Sequence, residues 1–265
     1  MFSFFYMRST IANLSLVLGL FFSVGLSAQF VYTAGSAPEM LPVQEGPSTE
    51  TTVQADSANA IRPYKLGEAV EDFRLQNIDG RFVSLSDYPN AKGFIVVFTC
   101  NNCPCAGDYQ ERLVWMTRKY DPQGYPLLAI NANKADRKFG ESLKDMQARA
   151  DTAGFNFPYL YDETQAVARR YGASKTPEAF VLVRDTSQYG MYRLLYSGAI
   201  DDKPSDQRKI KRFYIGEAIA MHQEGYAPAL ARVEPMGCTI EGVGIQGKFC
   251  PMEALENKVK STLGQ

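Results

Sequence analysis

The sequence is poor in histidine and has no surplus of positive charge. His222 is the single histidine of 265 residues, which argues against a histidine-rich metal centre and against an ordinary Ser-His-Asp triad. Basic residues number 28 and acidic residues 29, for a net charge of −1. A protein that grips a phosphate backbone needs a basic face, so no nucleic-acid partner is expected. No long apolar run follows the N-terminal one, so no later segment is expected to span a bilayer. Apolar residues make up 45% of the chain and charged residues 22%, a globular composition that excludes wholesale disorder. The five cysteines, Cys100, Cys103, Cys105, Cys238 and Cys250, are left as the place to look for chemistry.

Arg8 is the only charge before Glu39, and an apolar run extends from Ile11 to Leu26. That run is shorter than the roughly 20 residues of a membrane span. Together with Ser27-Ala28 it reads as a secretory signal peptide over residues 1–28. A leader retained as a membrane anchor is the alternative. Either way the domain is expected outside the cytoplasm, periplasmic or secreted. Residues 29–60 hold Pro38, Pro42 and Pro47, many Ser and Thr, and four acids with no base. Such a stretch buries too little apolar surface to offset its ordering entropy, and it reads as a flexible tether. Residues 61–265 remain for a single domain.

Phe73 and Leu75 precede Asp79-Gly80, and Phe82, Val83 and Leu85 follow it, a hairpin signal. Phe94 to Phe98 is unbroken apolar sequence, as for a strand covered on both faces. Tyr109, Leu113, Met116 and Tyr120 recur at helical spacing, and Leu127 to Ile130 reads as another buried strand. A helix carries Leu143, Met146, Ala150 and Ala153. A shorter one carries Val167 and Tyr171 and stops at Gly172. Ala179–Val183 and Tyr192–Tyr196 read as consecutive strands, and Ile210, Phe213, Tyr214, Ala218 and Met221 as the stripe of a last helix. The order predicts an α/β fold, a sheet layered by helices.

Cys100-Asn-Asn-Cys103-Pro104 follows the first buried strand directly and opens the first helix. At a helix N-terminus, unpaired amides and the dipole favour a thiolate. A second cysteine three residues on lies close enough to attack a mixed disulfide on the first, and Pro104 suits the first turn. Strand, CxxC and helix in that order point to redox chemistry at Cys100 and Cys103. The competing readings are a structural disulfide, half a zinc site, and inert core thiols. Cys105 lies two residues after Cys103, about 200° round a helix of 3.6 residues per turn, and is expected to face away as a buried bystander. Trp115 reads as core or partly exposed packing, and His222 as a helix-end residue, with a ligand or base role as the alternative. Glu178, directly after Pro177, reads as a solvated carboxylate, with a place at the rim of the active site as the alternative.

FTCNNCP, AINAN at 129–133, FPYLYDETQAVARRYGA at 157–173, TPEAFVL at 176–182, YSGAIDD at 196–202 and MGC at 236–238 resemble one family. It is the redoxin group of the alkyl hydroperoxide reductase/thiol-specific antioxidant superfamily, and the resemblance runs from about residue 65 to 240. It implies a thioredoxin-like fold, a central mixed sheet flanked by helices, here with an N-terminal hairpin and an inserted helical segment. It also implies a thiol–disulfide site that needs no cofactor, with Thr176 and Pro177 forming a cis-proline loop that faces Cys100 and binds substrate. Two departures stand out. Asn102 replaces the usual histidine, which implies a less acidic first thiol, and Cys105 replaces an aromatic. The peroxidatic pattern is absent: Val97 stands where Thr or Ser would precede the reactive cysteine, and Gly93 stands in the proline's place.

The expected function is therefore extracytoplasmic thiol–disulfide exchange with protein or small-molecule disulfides and thiols, through Cys100 and Cys103. A thiol peroxidase is the runner-up, and a copper-binding module using the CNNCPC thiolates is the rival from another class. Cys238 and Cys250 are left over, with Gly242, Gly244 and Gly247 between them. In an oxidising compartment they are expected to pair as a structural bridge contributing roughly 3 kcal/mol. The competing role for Cys238 is a relay beside the CxxC.

Overall fold

The computed structural model of the chain describes residues 62–134, 140–188 and 190–243. The expected leader, the tether and Cys250 lie outside the described residues. No described helix is long and apolar enough to cross a membrane.

The described chain opens with β1 (Ala69–Val70) and the expected hairpin, β2 (Arg74–Asn77) and β3 (Phe82–Ser84). Gly80 turns the hairpin with φ +86°, a conformation glycine adopts at no steric cost. A β-α-β unit follows: β4 (Gly93–Thr99), the short α1 (Pro104–Gly107), α2 (Gln110–Tyr120) and β5 (Leu127–Asn131). Next come α3 (Leu143–Ala153), β6 (Tyr159–Tyr161) and α4 (Ala166–Tyr171). The last part holds β7 (Lys175–Thr176), β8 (Glu178–Arg184), β9 (Tyr192–Gly198), α5 (Tyr214–Gln223), β10 (Arg232–Val233) and β11 (Cys238–Thr239).

The main sheet runs β1-β9-β8-β4-β5-β6-β2-β3, with β10 also on β9, and β11 pairs with β7 in a separate ribbon. β4, β5 and β6 are parallel, β8 is antiparallel to β4 and β9, and β9 is antiparallel to β1 and β8 but parallel to β10. This is the mixed, helix-flanked sheet of the thioredoxin-like fold. β4 is buried along its whole length because both of its faces are covered. Ile95 and Val97 point into one core with Leu113 and Met116 of α2, Met146 of α3 and Ile219 of α5. Phe94, Val96 and Phe98 point into the other, with Tyr171 of α4, Phe73 and Ile240. The alternation of side chains along a strand thus explains an apolar run that itself shows no alternation. Each fully buried side chain of this size contributes roughly 1.5–3 kcal/mol.

Helix ends follow local chemistry. Ser142 caps α3 in a capping box with Asp145, and Gly154 (φ +63°) and Gly172 (φ +72°) end α3 and α4 in the left-handed conformation. Two readings of the pattern are corrected. β6 was not expected; a three-residue strand inserted between helices is too short to show a period, and its partners, β5 and β2, fix it. The last helix starts at Tyr214, not Ile210. Asp202 accepts hydrogen bonds from the amides of Lys211 (3.0 Å) and Arg212 (3.2 Å), which holds that segment in a loop. Trp115 is 46% exposed and meets Tyr120 and Phe213 edge-on.

Candidate active site

β4 ends at Thr99 and releases Cys100 and Asn101 into the turn before α1. Cys103 is the N-cap of α1 with extended backbone (φ −82°, ψ 120°), and Pro104 takes the first helical position, where its missing amide costs nothing. Cys100 and Cys103 are only 3% and 2% exposed, so neither stands at a solvent edge; Asn102 between them is the exposed residue. Both cysteines meet Thr176. Cys100 Sγ is 3.1 Å from Thr176 Oγ1, and Cys103 Sγ is 3.3 Å from the Thr176 carbonyl oxygen. The Thr176–Pro177 peptide bond is cis.

Cys238 is bonded to Cys103, with Cα atoms 6.1 Å apart. The expected pairing of Cys238 with Cys250 is thereby replaced. The reason is strand register: β11 lies antiparallel on β7 with Cys238 opposite Thr176, and Thr176 is the residue that touches Cys103. A Cβ on Gly237 would lie 2.1 Å from the Thr176 carbonyl oxygen, so glycine there lets the two backbones close. Cys105 also departs from expectation. Its sulfur and those of Cys103 and Cys238 lie within 4.8 Å of one another. The angular argument required both residues to be helical, and Cys103 is a cap with extended φ and ψ.

A buried carboxylate that sequence reading overlooked shapes the loop. Glu141, fully buried, accepts hydrogen bonds from the amides of Asn101 (3.0 Å) and Asn102 (3.1 Å) and from Asn131 Nδ2 (2.8 Å). Asn101 Nδ2 donates to the Gly140 carbonyl at 2.8 Å, and the Tyr159 hydroxyl donates to Asn101 Oδ1 at 3.0 Å. Burial pushes the Tyr159 phenol well above its ordinary value, so it remains a donor. Glu141 lies 40 residues beyond Asn101, and no local signal joins the two.

Glu178 is 4% exposed, not solvated as expected. It accepts from the amides of Ser174 (2.7 Å) and Lys175 (3.2 Å), and burial pushes its carboxyl above the ordinary value despite those bonds. This ties the start of β8 to the loop carrying Pro177. His222 sits in the last turn of α5 and lines a surface cleft with Lys92, Tyr125 and Arg184. The missing proline of the peroxidatic pattern has a packing reason: a Cβ at Gly93 would lie 2.1 Å from the Leu182 carbonyl oxygen on β8.

Comparison with known proteins adds to this geometry. The AhpC/TSA family model matches residues 66–190. A crystal structure of an uncharacterized conserved protein from Geobacillus kaustophilus is 31% identical with a TM-score of 0.60, covering 72% of this chain and 96% of that one. A hypothetical protein from Sinorhizobium meliloti 1021 is 29% identical, also with a TM-score of 0.60, covering 70% of this chain and 98% of that one. A thioredoxin-family thiol:disulfide interchange protein from Chlorobium tepidum TLS is similar at 18% identity and a TM-score of 0.38, over 44% of this chain and 79% of that one. That likeness is too remote to bear on activity. No curated protein matches the chain.

Proposed function

Starting from the chain's membership of the AhpC/TSA family, we propose that it is an extracytoplasmic thiol–disulfide oxidoreductase whose working residues are Cys100 and Cys103. Secretion rests on the leader-like residues 1–28. The observation that carries the activity is the convergence of three cysteines on one residue. Cys100 and Cys103 both abut Thr176, and Cys238, opposite Thr176 in the β7–β11 ribbon, is bonded to Cys103.

In the proposed reaction the Cys100 thiolate attacks one sulfur of a substrate disulfide, forming a mixed disulfide and expelling the other sulfur as thiolate. The Cys103 thiolate then attacks Cys100 Sγ and releases the second substrate thiolate, which leaves a Cys100–Cys103 disulfide. Cys238 extends the sequence. Its thiolate attacks Cys103 Sγ, Cys100 leaves as thiolate, and the disulfide is stored between Cys103 and Cys238. Cys100 is then ready for a second encounter. A dithiol reductant that opens Cys103–Cys238 takes up the oxidising equivalents and completes the turnover. β11 already pairs with Thr176, and Thr176, Pro177 and Glu178 are buried, so the edge beside Pro177 where a partner strand was expected is taken by the chain itself.

The test is trapping. Cys103→Ser should accumulate a mixed disulfide on Cys100 with a model disulfide substrate, and Cys100→Ser should abolish exchange. Hydrogen peroxide should be consumed slowly, because the Thr or Ser of a peroxidatic loop is absent. Rapid peroxide consumption that survives Cys103→Ser would replace this reading with a thiol peroxidase.

A further inference from the structure

The thiolate that starts the proposed reaction lacks the support that its place in the sequence promises. The N-cap of α1 is Cys103, not Cys100, so the helix opens beyond the attacking sulfur. Cys100 is buried, away from the water that would solvate a thiolate. A polar side chain in a turn can instead accept from the backbone amide two residues on. Here that amide is already taken. Asn102 N–H donates to Glu141 Oε1 at 3.1 Å, and Asn101 N–H donates to Glu141 Oε2 at 3.0 Å. Asn131 Nδ2 is a further donor at 2.8 Å, and none of the three is charged.

The groups around this corner do not restore the lost support. Tyr159 of β6 interacts electrostatically with both Cys100 and Glu141, and burial keeps its phenol protonated, but that proton goes to Asn101 Oδ1. Arg149 of α3 is a cation that bears on Tyr159. Glu178 is engaged by the amides of Ser174 and Lys175. Thr176 Oγ1, 3.1 Å from Cys100 Sγ, can donate to a thiolate or accept from a thiol, so it favours neither form. Cys103 Sγ lies 3.3 Å from the Thr176 carbonyl oxygen. Once the bridge to Cys238 is reduced, that acceptor suits S–H and repels a thiolate.

We propose that Glu141 biases the Cys100–Cys103 pair toward giving up electrons, an inference that rests on the thiol–disulfide reading above. It withholds the amides of Asn101 and Asn102 from the Cys100 sulfur and sets a carboxylate beside the loop. Both effects disfavour the thiolate and make the reduced pair the less stable form. A dithiol whose reduced form is stabilised is an oxidant, and the converse makes this pair a reductant of partner disulfides. Each turnover passes two electrons from Cys100 and Cys103 to a partner disulfide, which leaves as two thiols. The dithiol that reopens Cys103–Cys238 returns two electrons and two protons and itself becomes a disulfide. Glu141 touches no reacting atom and acts through the loop amides, as a positioning residue.

The experiment compares the full chain with Glu141→Gln, whose one side-chain oxygen carries no charge and cannot hold all three donors. Alkylation of Cys100, followed across pH by peptide mapping, should set in at lower pH in the variant than in the parent. The potential is read in Cys238→Ser, where the Cys100–Cys103 disulfide is the one that forms, by equilibration with a dithiol–disulfide buffer above both alkylation midpoints. Adding Glu141→Gln should favour the reduced form by roughly tenfold, a rise of about 30 mV for a two-electron couple. An unchanged pH profile and potential would leave Glu141 a structural role only and overturn the proposal. If the variants do not fold, the parent decides. Its Cys100 should become reactive at higher pH in the folded chain than in the denatured chain, and the opposite order would refute the assignment. A profile that shifts while Cys103→Ser traps no mixed disulfide would uphold the hold of Glu141 on the thiol and reject the exchange reading beneath it.

Discussion

At the scale of single residues, the site is governed by two buried carboxylates, Glu141 and Glu178, that accept hydrogen bonds from backbone amides. Glu141 satisfies the amides of Asn101 and Asn102, donors that would otherwise be buried without partners. Glu141→Ala leaves both unsatisfied together with Asn131 Nδ2, and each such group costs about 1–3 kcal/mol. The expected result is a lower melting temperature and slower exchange at Cys100, with exchange recovering more fully in Glu141→Gln, which retains an acceptor. Exchange in Glu141→Ala equal to the parent's would show that the loop holds its shape without the carboxylate. The carboxyl value of Glu178 is raised by burial, so the folded state holds its proton more tightly than the unfolded chain. Stability from this group is fully present below the ordinary value of 4.5 and is lost as pH rises through the raised one. Glu178→Gln removes that dependence. Denaturant unfolding from pH 4 to 8 should therefore show the difference in stability between variant and parent growing with pH, and a difference independent of pH would refute the assignment.

At the scale of elements, two contacts tie down segments next to the cysteine loop, α2 and the β7–β11 ribbon. Arg112 of α2 donates to Asp201 at 2.6 Å and to the Lys203 carbonyl at 3.0 Å, and the Tyr109 hydroxyl donates to the same carboxylate at 3.1 Å. Arg112 and Asp201 are both buried, and the guanidinium lies 3.8 Å from the centre of the Tyr109 ring. Removing one partner strands the other's charge. Arg112→Leu should destabilise the domain by about 3–5 kcal/mol, read by denaturant titration. Arg112→Leu combined with Asp201→Asn should recover part of that loss. The second contact is β11 on β7. Gly237→Ala forces a Cβ against the Thr176 carbonyl. Overpacking of this kind costs about 1–3 kcal/mol, and the ribbon is short enough to separate in response. Peptide mapping of the oxidised variant should therefore show less Cys103–Cys238 bridge than the parent, and an undiminished bridge would show that β11 can close without the glycine.

At the scale of the whole molecule, the sheet brings distant stretches of sequence to one end of β4. The cysteine loop follows β4 directly, the proline loop precedes its neighbour β8, and Cys238 arrives from the far side on β11. Cys103 and Cys238 are 135 residues apart. A bridge over that separation restricts the unfolded chain strongly, by roughly 4–5 kcal/mol on the chain-entropy estimate. Cys238→Ser should lower the melting temperature of the oxidised domain and leave that of the reduced domain nearly unchanged. It should also allow a Cys100–Cys103 disulfide to accumulate, because the sulfur that resets Cys100 is gone. An oxidised Cys238→Ser with Cys100 still a thiol would contradict the relay.

Much of this protein is written locally. The Asp79-Gly80 hairpin, the unbroken run of β4, the stripe of α2 and the Gly172 stop of α4 all depend on spacing within a few residues, and each appears where the sequence places it. The strand–CxxC–helix order pointed to Cys100 and Cys103 for the same reason. What tertiary structure alone decided are relations between segments. The partner of Cys238 depends on the register of β11 against β7. The orientation of Cys105 depends on Cys103 being a cap and not a helical residue. The burial of Glu141 and Glu178 depends on loops folding over them, and β6 is a strand because β5 and β2 offer it hydrogen bonds. Local pattern encodes the period and ends of an element, whereas pairing across 40 or 135 residues is chosen by the packed sheet, which no single segment contains.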